Sequence, residues 1–164
     1  MSILPELLAS NENYAASFTS GNLPPQPQRK LAIVTCMDCR LDVFKMLGLN
    51  EGDAHVLRNA GARATPDTIR SLILSTEVLG TREFIVIHHT ECGMQRVTNE
   101  ELRDQLRERS GMDVDHLDFL PFTDQVAALR DDVHRIRSSP YVPDSIPVSG
   151  LIYDVKTGKL EHVV

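Results

Sequence analysis

Two short segments of the chain carry cysteine and histidine side chains at spacings that suit a metal ion. The first contains Cys36 and Cys39, and the second contains His89 and Cys92, which are three residues apart. Thiolate and imidazole groups are ligands that zinc prefers, usually in tetrahedral geometry. We therefore expect a metal site built from Cys36, His89 and Cys92. The fourth position is left to water, to Asp38 or to Cys39.

The same residue types allow other interpretations. A closed site that only stabilises the fold would use all four side chains, Cys36, Cys39, His89 and Cys92. Cys36 and Cys39 could instead form a redox pair, or the cysteines could be small buried apolar side chains. His88 could also reach a metal, although a histidine that ends a buried strand is more often a core residue.

Asp38 and Arg40 lie two residues apart, directly after Cys36. A carboxylate and a guanidinium beside a thiolate ligand are costly to desolvate unless they pair with each other. Pairing would keep Asp38 ionised, hold it off the metal and fix the direction in which it accepts a hydrogen bond. The alternative is a surface ion pair of little energetic value.

Apolar runs and helix signals predict the elements that position these segments. Runs typical of buried parallel strands lie at 30–35, 55–57, 83–88 and 148–155, with a short return strand at 159–164. Helical patterns lie at 41–47, 65–80, 98–109 and 123–137. This alternation predicts an α/β fold with a mainly parallel four-stranded sheet flanked by helices and a short antiparallel C-terminal strand. Both cysteine-containing segments follow strands, where functional groups collect in such sheets.

The N-terminal residues 1–30 read as an arm ahead of a single α/β domain, residues 31–164. The proline-rich stretch 21–28 cannot be a regular helix or an inner strand. Before it, the pattern predicts two short helices, at 4–9 and 13–18.

Composition argues against several functional classes. The 164 residues carry a net charge of −6, and no dense Lys/Arg block indicates a nucleic-acid or acidic-membrane partner. The apolar runs are too short to span a bilayer, and the first ten residues lack the basic region of a secretory signal. Three cysteines do not suit a disulfide framework, so we expect a cytoplasmic location.

Three segments together resemble the β-class carbonic anhydrases, most closely the short bacterial and archaeal type. They are Cys36-Met-Asp-Cys-Arg-Leu-Asp42, Arg58-Asn-Ala-Gly61 and His88-His-Thr-Glu-Cys-Gly-Met94. The similarity runs from about Leu31 to the C-terminus.

The resemblance implies roles for the residues that carry it. Cys36, His89 and Cys92 would hold one Zn²⁺ per chain. Asp38 and Arg40 would form a dyad that controls the fourth coordination position. In that family the aspartate either binds zinc in a closed state or pairs with the arginine and admits water.

The resemblance also implies a zinc lyase, a carbonate dehydratase, that hydrates CO₂ reversibly to bicarbonate and a proton by means of zinc-bound hydroxide. Gly61 and Gly93 would leave room for this small apolar substrate and offer backbone N–H groups to it. Hydrolysis of carbonyl sulfide or carbon disulfide at the same zinc is the first alternative, because both molecules are also linear and apolar. A non-catalytic module with a structural zinc bound by three cysteines and a histidine is the second.

A homodimer or homotetramer is the assembly that the resemblance implies. The arm at residues 1–30 suits such an assembly, because it holds apolar residues but has no obvious place in a four-stranded core. We therefore expect it to pack on a neighbouring subunit.

Overall fold

The computed structural model describes residues 2–164, so the first residue of the predicted arm lies outside the described part. Within it, one sheet has the strand order β2-β1-β3-β4-β5. The strands are β1 (Leu31–Cys36), β2 (Ala54–Asn59), β3 (Glu83–His89), β4 (Val148–Tyr153) and β5 (Leu160–His162). The first four are parallel and β5 pairs antiparallel with β4, which confirms the predicted fold class.

The described residues also form five α-helices, α1 (Leu4–Ala16), α2 (Val43–Leu47), α3 (Pro66–Glu77), α4 (Asn99–Ser110) and α5 (Gln125–Arg137). Two of these helices begin where the sequence predicts, and a side chain caps each start. Thr65 caps α3 by accepting a hydrogen bond from the backbone N–H of Thr68. Thr98 and Glu101 form a complete capping box at the start of α4.

Helices cover both faces of the sheet at β1. Successive strand residues point to opposite faces, so Ala32 and Val34 pack in the larger core with side chains of α3 and α5. Leu31 and Ile33 pack on the other face with Val43 of α2. Burial on both faces explains why this strand has a continuous apolar sequence rather than an alternating one.

The N-terminal arm forms one helix, so the prediction of two short helices was wrong. The hydroxyl of Ser10 donates to the carbonyl oxygen of Glu6 within the helix and does not end it. None of the residues of α1 is buried. No helix in residues 2–164 combines the length and apolar character needed to cross a membrane.

The carboxyl ends of β1 and β3 lie side by side. Their parallel register pairs Thr35 with Ile87, so the residues that follow each strand emerge at the same edge of the sheet. This places the segment after Cys36 next to the segment after His89.

Candidate metal centre

Cys36, His89 and Cys92 come together at this edge. Cys36 is the last residue of β1, His89 is the last residue of β3, and Cys92 lies in the turn that follows. Their ligand atoms all lie within 4.8 Å of one another. All three side chains are buried, so two sulfur atoms and one imidazole nitrogen converge below the protein surface.

The backbone turn after β3 is tied to its neighbours. The N–H of Thr90 donates to the carbonyl oxygen of Tyr153 at 2.9 Å, and its hydroxyl accepts from the N–H of Val155 at 3.1 Å. The Gln125 side chain, at the start of α5, donates to the carbonyl oxygen of His89 at 2.6 Å. These contacts fix the strand end that carries the histidine.

The imidazole of His89 is oriented as a ligand. Its Nδ1 lies 2.9 Å from the carbonyl oxygen of Thr90, which can only accept, so Nδ1 carries the proton. Its buried Nε2 has no hydrogen-bond partner within residues 2–164. Burial lowers the pKa of His89, but the neighbouring Cys36 outweighs this effect and raises the pKa overall.

The two buried thiols lie next to each other in one packed cluster. Their contact is the largest cause of a strongly lowered pKa at Cys36. The proximity of His89 and of the backbone of Asp38 and Gly61 lowers this pKa further, against the opposing effect of burial. The same contact raises the pKa of Cys92, with burial adding to the effect. Cys36 is therefore poised as a thiolate, the form that binds metals.

This donor set fits a zinc ion. Two sulfur atoms and one imidazole nitrogen suit the borderline-soft character of zinc. The unpartnered Nε2 of His89 would otherwise leave a polar atom buried without compensation, which is costly. Three protein ligands leave one of four tetrahedral positions open, as in catalytic zinc sites.

Asp38 and Arg40 pair beside the three donors. Arg40 Nε donates to Asp38 Oδ1 at 2.9 Å, and Nη2 donates to Oδ2 at 2.7 Å. This bidentate contact is the main cause that lowers the pKa of Asp38 well below its usual range. Oδ2 lies 3.7 Å from His89 Nε2, so the ionised carboxylate borders the ligand group without joining it. Direct binding of metal by Asp38 stays a prediction.

Glu91 holds Arg40 from the other side. Its carbonyl oxygen accepts from Arg40 Nη2 at 3.3 Å, and its carboxylate lies 3.6 Å from Nη1. Lys156 Nζ in turn contacts the Glu91 carboxylate at 2.6 Å. Arg40 thus lies between two carboxylates, only one of which borders the ligand group. The sequence pattern alone does not indicate this role for Glu91, although the residue precedes Cys92 directly.

Arg58 is a second supporting residue whose role is not evident from the sequence. Its guanidinium donates to the carbonyl oxygens of Cys36 at 2.9 Å, Leu41 at 3.2 Å and Asp38 at 2.6 Å. It therefore holds the loop that carries one candidate ligand and the acid of the dyad. The only signal was its place at the start of the Arg58–Gly61 segment.

Three further candidate residues, Cys39, Gly93 and Gly61, differ in their surroundings. Cys39 is exposed and lies outside the ligand group. Gly93 is exposed and has no atom within 4 Å of the place where a Cβ would lie, and its role toward a substrate stays a prediction. Gly61 is more constrained, because its φ is +77° and an added Cβ would lie close to Met94 and Phe122.

We expect Gly61→Ala to weaken metal binding. A Cβ there would lie 3.0 Å from Met94 Cγ and 3.3 Å from Phe122 Cε1, and the left-handed φ adds strain of about 1–2 kcal/mol. The turn or the Met94 and Phe122 side chains, which pack around Cys36 and Cys92, must then shift. Zinc retention after challenge with a chelator, measured beside urea unfolding, checks this result.

Gly48→Ala is the matched control, because Gly48 has a φ of +63° and no atom within 4 Å of the added Cβ. The Gly48→Ala variant should lose a similar amount of folding stability as Gly61→Ala but keep its zinc. Equal zinc retention in both variants would show that the Gly61 turn does not support the site.

Comparisons with known proteins agree with this geometry. The family model described as carbonic anhydrase matches residues 31–160. Beta-carbonic anhydrase 1 of Mycobacterium tuberculosis is 42% identical over 165 residues, covering 99% of each chain. The crystal structure of a carbonic anhydrase from Streptococcus mutans is similar with a TM-score of 0.95 and 46% identity, covering 100% of this chain and 99% of that one. A carbon disulfide hydrolase of Saccharolobus solfataricus is 36% identical over 156 residues, covering 80% of this chain and 76% of that protein.

Proposed function

The chain belongs to the β-carbonic anhydrase family, and we propose that it catalyses the reversible hydration of CO₂ to bicarbonate and a proton. It is an enzyme of the carbonic anhydrase type, a lyase. The observation that carries the proposal is the convergence of three buried soft donors beside an ionised carboxylate that is held by an arginine.

Cys36, His89 and Cys92 would hold one zinc ion at this site. When bound, zinc lowers the pKa of a coordinated water toward about 7 and so supplies the nucleophile at neutral pH. The protein contributes the donor geometry. The His89 ring is fixed by its Nδ1 contact with Thr90, and the backbone at Cys36 and Asp38 is held by the Arg58 guanidinium.

Asp38 would orient the attacking water. The bidentate contact with Arg40 keeps the carboxylate ionised and turned toward the arginine, so it can accept a hydrogen bond without taking the place of the water. A fixed acceptor aims the oxygen lone pair at the carbon atom of CO₂. The water oxygen bonds to that carbon, and one proton must leave to give bicarbonate.

The wall around the candidate site suits a small apolar substrate. Cys36 and Cys92 pack in one buried cluster with Leu41 and Ala62. Partly buried Met94, Phe122, Tyr153 and Val155 surround this cluster. A linear molecule without net charge or strong dipole loses little on leaving water for such a wall.

Hydrolysis of carbonyl sulfide or carbon disulfide is the second candidate function. It is favoured by the 36% identity with a carbon disulfide hydrolase, whereas the full-length match at 42% identity is to a β-carbonic anhydrase. Stopped-flow CO₂ hydration and sulfide release from both sulfur substrates, measured on one zinc-loaded sample, test the proposal. We expect fast CO₂ hydration and little sulfide release. The reverse ranking would overturn CO₂ as the substrate.

A structural zinc site has less support. It would need Cys39 as its fourth ligand, but this side chain is exposed and lies outside the ligand group. The three cysteines are free thiols, which suits a reducing compartment, so a cytoplasmic location is part of the proposal.

We also propose that the chain works as a homodimer or homotetramer in which the N-terminal arm packs on a neighbouring subunit. The exposed side chains of Leu4, Leu7 and Leu8 form an apolar stripe at helical spacing on α1. A second copy of the chain would cover this stripe. The chain after this helix does contact the core: the Pro25 carbonyl oxygen lies 3.2 Å from His55 Nε2, and the N–H of Gln28 donates to the carbonyl oxygen of Gly52.

Deletion of residues 1–24 should weaken self-association more than it destabilises the core, because α1 buries none of its own residues. Sedimentation velocity and thermal unfolding measure the two effects. The double substitution of Leu7 and Leu8 with serine should weaken assembly in the full chain, whereas Asn13→Ser, on the same helix, should not. An unchanged oligomer after deletion would contradict the proposal.

A further inference from the structure

A buried cluster of polar side chains lies near the candidate metal centre. Arg63, His88 and Asp132 are 6%, 1% and 1% exposed, respectively. Burying such groups is costly unless they pair with one another. None of them belongs to the ligand group or to the dyad, so their burial needs a separate explanation.

Asp132, on α5, is the centre of this cluster. Its Oδ1 accepts a hydrogen bond from the backbone N–H of Ala64 at 2.8 Å. Its Oδ2 accepts from His88 Nε2 at 3.0 Å and lies 3.1 Å from Arg63 Nη1. One carboxylate therefore contacts two separate segments of the chain and has its charge balanced by a buried guanidinium.

The first segment is the turn that supports Cys36. Ala62 has a φ of +60°, which costs about 1–2 kcal/mol for a residue with a side chain. The Asn59 side chain ties the two ends of the turn together by bonding both the N–H and the carbonyl oxygen of Arg63 at 2.8 Å. Asp132 anchors the exit of the turn through Ala64. A strained turn keeps its shape only when such contacts hold it.

The second segment is the end of β3. His88 precedes His89, and successive strand residues point to opposite faces. His88 therefore reaches Asp132 and packs near Phe122, while His89 reaches the ligand group. Holding the His88 side chain fixes the backbone from which the imidazole of His89 projects.

We infer that Asp132 is a positioning residue for the metal centre. It sets the distance between the Gly61–Ala62 turn and the end of β3, acting through Ala64 and Arg63 on one side and through His88 on the other. The inference rests on the proposed zinc site and concerns its affinity and geometry. It does not depend on which substrate the enzyme takes.

Asp132→Asn tests this role. Its amide oxygen can still accept from the Ala64 N–H, but its NH₂ group cannot accept from His88 and carries no charge for Arg63. We expect transfer of zinc to a chelator to become about tenfold faster, the lower end of the range for residues that orient metal ligands. The visible absorption of the cobalt-substituted protein, which reports the geometry of the ligands, should also change.

Ile136→Val is the matched control, because Ile136 is fully buried one turn further along α5 and lies in the hydrophobic core. It should lower the melting temperature and leave both metal readouts as in the parent. If Asp132→Asn does not fold, Arg63→Lys is the second variant that tests the inference. Lysine keeps the positive charge but lacks the planar guanidinium group. We expect a severalfold faster transfer in that variant.

The outcomes separate this inference from the proposed function. A parent chain that binds no zinc would overturn the proposed function and the inference with it. A parent that binds zinc, with Asp132→Asn matching it in transfer rate and cobalt spectrum, would overturn the inference alone. An equal acceleration in Ile136→Val would do the same, because it would reduce the effect to general stability. With Asp132→Asn unfolded, a parent-like Arg63→Lys would also overturn it.

Discussion

Replacing Cys36, His89 or Cys92 with alanine should remove zinc from the chain and lower CO₂ hydration to the uncatalysed background. Each of the three supplies one donor atom to a group that spans at most 4.8 Å, and no other cysteine, histidine or acidic side chain of residues 2–164 belongs to that group. Metal analysis after gel filtration and stopped-flow hydration measure the two losses. Folding is checked by circular dichroism, because loss of a metal also costs stability.

Cys39→Ala is the control for this set. It removes a thiol three residues from Cys36, but that thiol is exposed and outside the ligand group. Zinc content and hydration rate should match those of the parent. Loss of zinc from the Cys39 variant would contradict the assignment and favour a structural site with three cysteines.

Replacing Asp38 with alanine should lower kcat/KM for CO₂ by about 10²–10³, the usual cost of losing one positioned hydrogen bond in a transition state. Zinc content should stay the same, because Asp38 lies beside the ligand group and pairs with Arg40. The open site would then hold a water molecule whose oxygen lone pair is no longer directed at the carbon atom of CO₂.

Replacing Arg40 with alanine should also lower activity while zinc stays bound, but for a different reason. The Asp38 carboxylate loses both side-chain hydrogen bonds from the guanidinium and becomes free to take the fourth position on zinc. Water is then excluded from the site rather than misoriented. Kinetics and metal content of both variants are compared at the same pH.

Arg70→Ala is the control for the dyad, because Arg70 also pairs with an aspartate, Asp67, at an exposed position on α3. Exposed pairs of this kind contribute about 0–1 kcal/mol to stability, so we expect parent-like activity. Full activity in the Asp38 and Arg40 variants would reduce the dyad to an ordinary ion pair and contradict the mechanism.

Most of the site could be read from the sequence because its parts follow strong local signals. Buried runs ending at Cys36 and His89 predicted neighbouring parallel strands, and their pairing brings the two ends together. Asp38 and Arg40 are two residues apart, so their pairing follows from local geometry. The family and the enzyme class implied by these segments are confirmed by the comparisons.

The supporting residues were harder to predict because they act across the fold. On α5 the apolar residue Val126 is exposed, whereas the acidic residue Asp132 is buried. Asp132 lies three residues after Leu129 and four before Ile136, so it shares their face of the helix. The only sequence signal for this role of Asp132 was an acidic residue on the apolar face of a helix. Its partners come from 44 and 68 residues earlier in the chain, and no local pattern indicates them.

X-ray absorption at the zinc edge tests the central claim most directly, because it counts sulfur atoms around the metal. For the zinc-loaded parent we predict two sulfur neighbours at about 2.3 Å and two nitrogen or oxygen neighbours at about 2.0–2.2 Å. This count corresponds to Cys36, Cys92, His89 and one exchangeable oxygen position. Three sulfur neighbours would place Cys39 on the metal, close the fourth position and contradict the catalytic assignment.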